Sequence, residues 1–314
     1  MTTPTVLAAT WRDGLFVVTG EPRHHELAGQ SVRALAPDGH GGALAVVDGH
    51  SLCRRTCDGE CSPIATSEFQ LACSVAVGDV IYVGTDDARV LRVSANGNVD
   101  QLGGFDAVAG RDRWYAGSAL INGQLVGPPL GIRSITATSD RTVLLANVHV
   151  GGIPRSMDGG VTWQPTIDVD SDVHEVCAHP IHPGIVIAAA AIGLCISRDS
   201  GATWTVEQEG LHASYCSAVA FSSSDILVSA SGDHFATQGA VYRRPIDGPG
   251  PLVPVGAGLP RWIDGIADTG CIATRGSTLA VADKGGNLYV SADGGSTWSR
   301  RANGLPTTSS VLIV

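Results

Sequence analysis

The sequence predicts an all-β chain folded as a seven-bladed β-propeller of four-stranded antiparallel blades, and three observations carry that expectation. The octapeptide Ser-x-Asp-x-Gly-x-Thr-Trp occurs three times, starting at Ser156, Ser197 and Ser291. The spacings are 41 and 94 residues, and 94 is twice 47, so a degraded copy is expected near position 244. The composition, with 40 glycines, 16 prolines, 44% hydrophobic and only 16% charged residues, suits many short strands joined by tight turns and suits disorder poorly. Finally, Ser309-Ser310-Val311-Leu312-Ile313-Val314 is an apolar strand with nothing after it, while Val6–Thr10 and Leu15–Thr19 open the chain as two strands without a first partner. Pairing the two ends closes a ring and removes its exposed edges.

The remaining blades follow by counting. Arg244-Pro245-Ile246-Asp247-Gly248 is the degraded octapeptide expected near 244, and Val90–Asn98 and Leu52–Cys61 hold two earlier worn copies. Six units result, and the paired ends make the seventh. Blade four is the clearest: strands Val173–Ala178, Ile185–Ala191, Leu194–Ser197 and, after the octapeptide, Thr205–Glu207. The octapeptide itself reads as the turn between third and fourth strands, since its Asp can accept backbone N–H bonds and its Gly can take φ > 0. One interval is too long. From Ser94 to Ser156 is 62 residues, leaving a surplus over about 104–129 that includes Arg111-Asp112-Arg113-Trp114-Tyr115-Ala116 and Gly127-Pro128-Pro129. It falls between the last strand of one blade and the first of the next, within a single domain spanning 1–314.

These repeats resemble the Asp-box (BNR-repeat) β-propellers, which include sialidase-like hydrolases, sortilin-type receptors and photosystem assembly factors. The resemblance covers nearly the whole chain and implies the fold; the box is a structural turn and carries no chemistry by itself. The sialidase-like reading implies an arginine triad, for which Arg33, Arg133 and Arg155 are the candidates. Gly152-Ile153-Pro154-Arg155 is not the arginine-first Phe/Tyr-Arg-Ile-Pro motif of sialidases, so a sialidase-like glycoside hydrolase stands as a second alternative.

A net charge of −10 and a pI near 5.3 argue against nucleic acid or an anionic membrane as partner. The N-terminus has neither a basic region nor a long apolar one, and no run of eighteen apolar residues exists, so a soluble, cytoplasmic monomer is expected. Five of the eight cysteines sit singly in apolar runs and read as small core residues. Cys53, Cys57 and Cys61 are spaced unlike a zinc motif. A turn-stapling disulfide or plain small residues are the better readings there.

Chemistry is expected on the face opposite the octapeptide turns, where loops surround the mouth of the central channel. Seven residues before each octapeptide, at the end of the second strand, stand Asp48, Asp87, His149, Ala190 and Lys284; blade five has Thr237 there, with Asp233 and His234 just before. The starts of first strands add Arg33, Arg133, Asp172, His174, Glu175, His212, Tyr215, Trp262 and Asp264. His149, His174, His212 and His234 are thus expected near one mouth as metal ligands, with Zn, Fe, Cu or Mn as the ion. Glu175, Tyr215 and Asp172 are the expected acid–base or orienting groups, and the Trp114–Tyr115 loop is expected to cover the site. The bland alternative makes these histidines the polar lining of a wet channel. His179 and His182 fall on the opposite face, and Lys284, the sole lysine, reads by default as a surface ammonium. The leading expectation is a metal-dependent enzyme, hydrolase or oxygenase, acting on a small polar substrate at the channel mouth. The first alternative is a non-catalytic scaffold that binds a protein or an assembly intermediate.

Overall fold

The computed structural model describes residues 4–18, 24–117, 119–121, 124–126, 130–248 and 250–314. Seven four-stranded antiparallel sheets stand around a central channel. Blade one is Val32–Pro37, Ala43–Val47, Ser51–Arg55 and Cys61–Thr66; blade two runs from Leu71–Val77 to Val99–Gln101; blade three from Ile132–Ala137 to Gln164–Pro165. Blade four is Val173–Ala178, Val186–Ala190, Gly193–Ser197 and Thr205–Glu207, within a residue of the sequence expectation at every end. Blade five runs from Tyr215–Phe221 to Val253–Pro254, and the short Ile263–Asp264 pairs with the start of its third strand. Blade six runs from Ile272–Arg275 to Ser299–Ala302.

Blade seven closes the ring. The last strand, Thr308–Ile313, pairs with Val6–Thr10 so that Val311 faces Ala8, and Leu15–Val18 and His24–Glu26 complete the sheet. Thr19 and Gly127-Pro128-Pro129 lie outside the described residues.

Three turns repeat the same hydrogen-bond circuit. Ser156 Oγ donates to Asp158 Oδ1 (2.8 Å) and accepts from Gly160 N (2.9 Å), while Asp158 accepts from Thr162 N (2.9 Å) and Thr162 Oγ1 (2.6 Å). Ser197 and Ser291 repeat it within 0.1 Å at each bond. Glycine is required at the fifth position, where φ is +86° at Gly160, +78° at Gly201 and +83° at Gly295. Trp163 and Trp298 then fold their indoles over the turn, each donating Nε1–H to the glycine carbonyl.

The core lies between neighbouring blades. A middle strand is covered on both faces, so Ala43–Val47, Leu144–Val148, Val186–Ala190 and Thr278–Ala282 are buried at every residue, and their sequences lack alternation. Alanines in these strands let adjacent sheets approach closely near the axis. Among the described residues, no helix is long and apolar enough to cross a membrane.

The described start of the surplus segment is packed against the body. Its short helix, Gly103–Asp106, places Phe105 fully buried against Trp163 (5.1 Å between ring centroids, edge-on) and Trp114 (5.8 Å). Gly104 sits so close to Val161 that a Cβ would lie 1.8 Å from its carbonyl oxygen. From this anchor beside an octapeptide turn, the segment climbs to the other face through the 3-10 turn Arg111–Arg113.

One irregularity positions the mouth. In blades one, two, three and four the innermost strand carries a β-bulge after its first residue, leaving Arg33, Ala72, Arg133 and His174 without an opposite partner. A bulge re-aims the side chain it carries. Three of these four are the polar groups that meet at the mouth.

Candidate functional site

His149 and His174 reach one another from adjacent blades. His149 follows the second strand of blade three, with its backbone N–H bonded to Gly131 O (2.9 Å); His174 is the bulged residue of blade four. Asn147, fully buried, joins the two strands by donating Nδ2–H to Val173 O. The imidazoles lie 5.6 Å apart, centroid to centroid, and both are buried, His174 at 1% exposure.

Between them stands Asp172, with Oδ1 3.4 Å from His149 Nε2 and Oδ2 3.5 Å from His174 Nε2. Its φ of +48° is a left-handed conformation that costs a non-glycine residue free energy, and it turns the carboxylate toward the rings. His174 Nδ1 lies 2.6 Å from Cys216 O. A carbonyl only accepts, so Nδ1 carries a proton, and Nε2 is directed at the Asp172 carboxylate.

These groups lack partners of their own. His149 Nδ1, Asp172 Oδ1 and His174 Nε2 are buried atoms with no hydrogen bond. One ligand atom from each of the three residues can be chosen so that all lie within 4.8 Å of one another. Burial and the Arg133 charge push His149 down to about 3, so the ring is neutral at physiological pH. Burial acts to raise Asp172, but His174 and Arg133 outweigh it and hold the carboxyl below its ordinary value. Tyr215 packs its ring 4.5 Å from His174, and burial raises its phenol.

The other expected ligands are placed differently. His234 is at the mouth but faces Lys284, whose Nζ lies 3.4 Å from Nε2 and donates to the His234 carbonyl at 3.0 Å. Burial and that ammonium lower the His234 pKa. His212 is taken out of the cluster: Tyr242 Oη lies 2.7 Å from its Nδ1, and Trp262 packs edge-on at 4.8 Å. The sequence could count His212 to the correct face but could not show that the aromatic pair beside it claims the ring. Asp172, expected as an acid–base group, stands between the two histidines.

Glu175 accepts from Val219 N (2.9 Å) and Gly270 N (3.2 Å), tying blade four across blade five to blade six. Burial pushes its carboxyl up to about 8 despite those two donors. Gly117, from the surplus segment, lies over His149, and a Cβ there would meet the ring at 1.8 Å. Trp114 is buried in the core and Tyr115 is exposed, so the cover on His149 is a glycine, two residues beyond the expected pair.

Beside the cluster opens a cavity of about 760 Å³ in the channel. Its rim carries the ion pairs Arg33–Asp86 (2.7 Å) and Arg133–Asp268 (3.0 Å), with Lys284 3.8 Å from Asp268. Asp86 and Asp268 were not singled out by counting. Asp86 is the neighbour of Asp87, which instead turns to Thr85 and Arg89. Asp268 lies four residues before the innermost strand of blade six, whereas Asp172 immediately precedes that of blade four, so counting offered no signal for it. Asp48 accepts from Ser31 N and Gln30 Nε2, just before the innermost strand of blade one. Arg155 donates to Ser200 O in an octapeptide turn, so Arg33, Arg133 and Arg155 do not converge on one site. Cys53, Cys57 and Cys61 are free thiols, as are the other five cysteines.

No family model matches the chain. No curated protein matches it either. Solved structures do. The Niastella koreensis GH74 enzyme superposes with a TM-score of 0.63 at 12% identity, over 94% of this chain and 46% of that one, so the chain spans less than half of that protein. A 6-phosphogluconolactonase, described as putative, from Bacteroides fragilis gives 0.62 at 13% identity over 100% and 98% of the two chains. A structure of YCF48 bound to D1 peptide gives 0.53 at 14% identity over 86% and 82%. Enzymes and a peptide-binding protein stand side by side among these neighbours, and at such identities the likeness is one of fold: this chain is a seven-bladed β-propeller.

Proposed function

We propose that this protein is a metal-dependent enzyme that acts on a small molecule presenting a polar reacting group at the channel mouth, with His149, His174 and Asp172 holding a transition metal ion. The observation that carries the reading is His174. Its Nδ1–H is committed to Cys216 O, leaving Nε2 buried and without a hydrogen-bond partner, 3.5 Å from Asp172 Oδ2. A carbonyl behind one ring nitrogen is the usual support of a metal-bound imidazole, and leaving buried polar atoms unpaired costs free energy that a bound ion would recover.

Two imidazoles and a carboxylate suit Zn, Fe, Cu or Mn and leave coordination positions open for water or substrate. Bound there, the ion would supply Lewis acidity or a water acidic enough to ionise near neutral pH. Arg133, through its pair with Asp268, would fix the rim against which the substrate rests, and Tyr215, packed against His174, and His234 are groups able to move a proton there. Metal analysis of protein purified without a histidine tag tests the reading. About one equivalent in the native chain, lost in His149→Ala and His174→Ala, supports it; less than about 0.1 equivalent in folded protein refutes it.

A protein-binding scaffold is the second reading, favoured by the exposure of Tyr115, Phe235 and Trp262. It predicts native protein free of metal, so the same assay separates the two.

A further inference from the structure

Away from the channel, the third and fourth strands of blade one bring two thiols together. Cys53 is buried on Ser51–Arg55, and Cys61, at the start of Cys61–Thr66, packs half-buried against the apolar cluster that contains Cys53. The register sets Arg55 opposite Cys61 and Cys53 opposite Pro63, so the two cysteines share a face as diagonal neighbours. Their side chains are hydrogen-bonded to each other. Cys57 is exposed in the turn between the strands.

The two sulfurs differ in reach and in acidity. The hydrogen bond with Cys53 holds the Cys61 thiol below its ordinary value, and the Arg55 guanidinium acts in the same direction against burial and Glu26. That guanidinium is fixed by Glu26, with Nε 2.7 Å from Oε2 and Nη2 2.8 Å from Oε1. Cys53 is raised by the same hydrogen bond and by burial. Five other cysteines are shut away: burial pushes Cys73, Cys177, Cys195 and Cys216 up to about 12 and raises Cys271 as well. A thiolate, not a thiol, attacks a disulfide. Cys61 combines access, a lowered thiol and a second sulfur in contact.

We propose that Cys61 and Cys53 form a thiol–disulfide exchange site for low-molecular-weight disulfides, closing a reversible Cys53–Cys61 bond across the outer hairpin of blade one. The Cys61 thiolate attacks one sulfur of the small disulfide RSSR, forming a mixed disulfide and releasing RS⁻, which takes up a proton. Cys53 then gives its proton to solvent, attacks the Cys61 sulfur and expels the second RS⁻. Two electrons pass from the protein thiols to RSSR, which leaves as two RSH. Cys61–Thr66 is the outermost strand of its sheet, paired along one edge, so it can shift to bring the diagonal sulfurs into bonding distance. The strain of that shift keeps the bond easily reduced. Cys57, exposed and off both strands, keeps the small molecule as a mixed disulfide.

The test is peptide mapping of native protein incubated with oxidised glutathione, alkylated and cut with trypsin. Cleavage after Arg33, Arg54, Arg55 and Arg89 puts Cys53 alone in 34–54, and Cys57, Cys61 and Cys73 in 56–89. The expected product is 34–54 linked to 56–89 with glutathione on Cys57. It should be about tenfold more abundant than any glutathione adduct on Cys61 and be undone by dithiothreitol. Cys61→Ser should abolish the linked pair and leave Cys53 unmodified, while Cys53→Ala should leave Cys61 carrying glutathione. An unreacted Cys61 or a glutathione adduct retained on it in the native chain overturns the proposal. So does a bond between Cys57 and Cys61 within 56–89, or a linked pair that survives Cys61→Ser.

Discussion

On one face of the disc, Asp158, Asp199 and Asp293 each accept from a threonine hydroxyl and from backbone N–H groups, and the serine two residues before closes the circuit. On the other face, buried polar atoms of His149, Asp172 and His174 have no hydrogen-bond partner. The first arrangement recurs in blades three, four and six, where the octapeptide is complete. Among the described residues the second occurs once, where two blades differ from the rest in what their bulged and terminal residues carry. A propeller repeats what holds it together, and chemistry collects where the repeat is broken and polar atoms are left open.

That contrast can be broken by substitution. Trp298→Ala, on the repeated face, removes a buried indole and its bond to Gly295 O, and should cost about 3–5 kcal/mol in denaturant unfolding while metal content per folded molecule stays constant. Asp172→Asn, on the mouth face, should do the reverse, lowering metal affinity by about a hundredfold or more with the unfolding midpoint of metal-free protein nearly unchanged or raised. The rise is expected because Asp172 is held at positive φ, a conformation Asn adopts readily. If each substitution changed both quantities, the two faces would be one cooperative unit and the contrast would fail.

A subtler probe leaves every ligand in place. Gly117→Ala puts a methyl group within the His149 ring position, so the ring must swing. A loss of metal affinity of about tenfold is expected with little change in the far-ultraviolet dichroism. An unaltered affinity would show that His149 is not a ligand. The smallest effect comes from acid. Asp158, Asp199 and Asp293 are each lowered from 3.8 to about 2: at Asp158 and Asp293 chiefly by the threonine hydroxyl, and at Asp199 by threonine and backbone donors that overcome its burial. A carboxyl depressed by folding contributes stability that is complete above its unfolded value and lost as the pH falls through its folded one. The melting temperature should therefore fall between about pH 4 and about pH 2, and Asp293→Asn should make that fall shallower.

The fold was legible because propeller blades write their period into the chain. Three octapeptides gave the register, the worn copy at Arg244–Gly248 fell where half of the long interval put it, and the apolar ends Val311 and Ala8 met across the closing sheet. The site was legible only as a face. His149 and His174 were placed by counting from the octapeptide, yet counting cannot see a β-bulge, which shifts Arg33, Arg133 and His174 out of register with the strand beside them. Nor can it see competition for a ring, and His212 is held by Tyr242 and Trp262 through contacts between residues some 30 and 50 positions apart in the chain. Asp268 became visible only when its partner Arg133 was found across the channel, 135 residues away in sequence.

The most direct test of the metal centre is X-ray absorption at the edge of whichever metal the native protein carries. For zinc, the account predicts a first shell of nitrogen and oxygen at about 2.0–2.1 Å, with imidazole scattering from two rings and loss of one ring in His174→Ala. A sulfur shell at about 2.3 Å, which would place the ion on cysteines such as Cys53 and Cys61, or a spectrum that His174→Ala leaves unchanged, would contradict it.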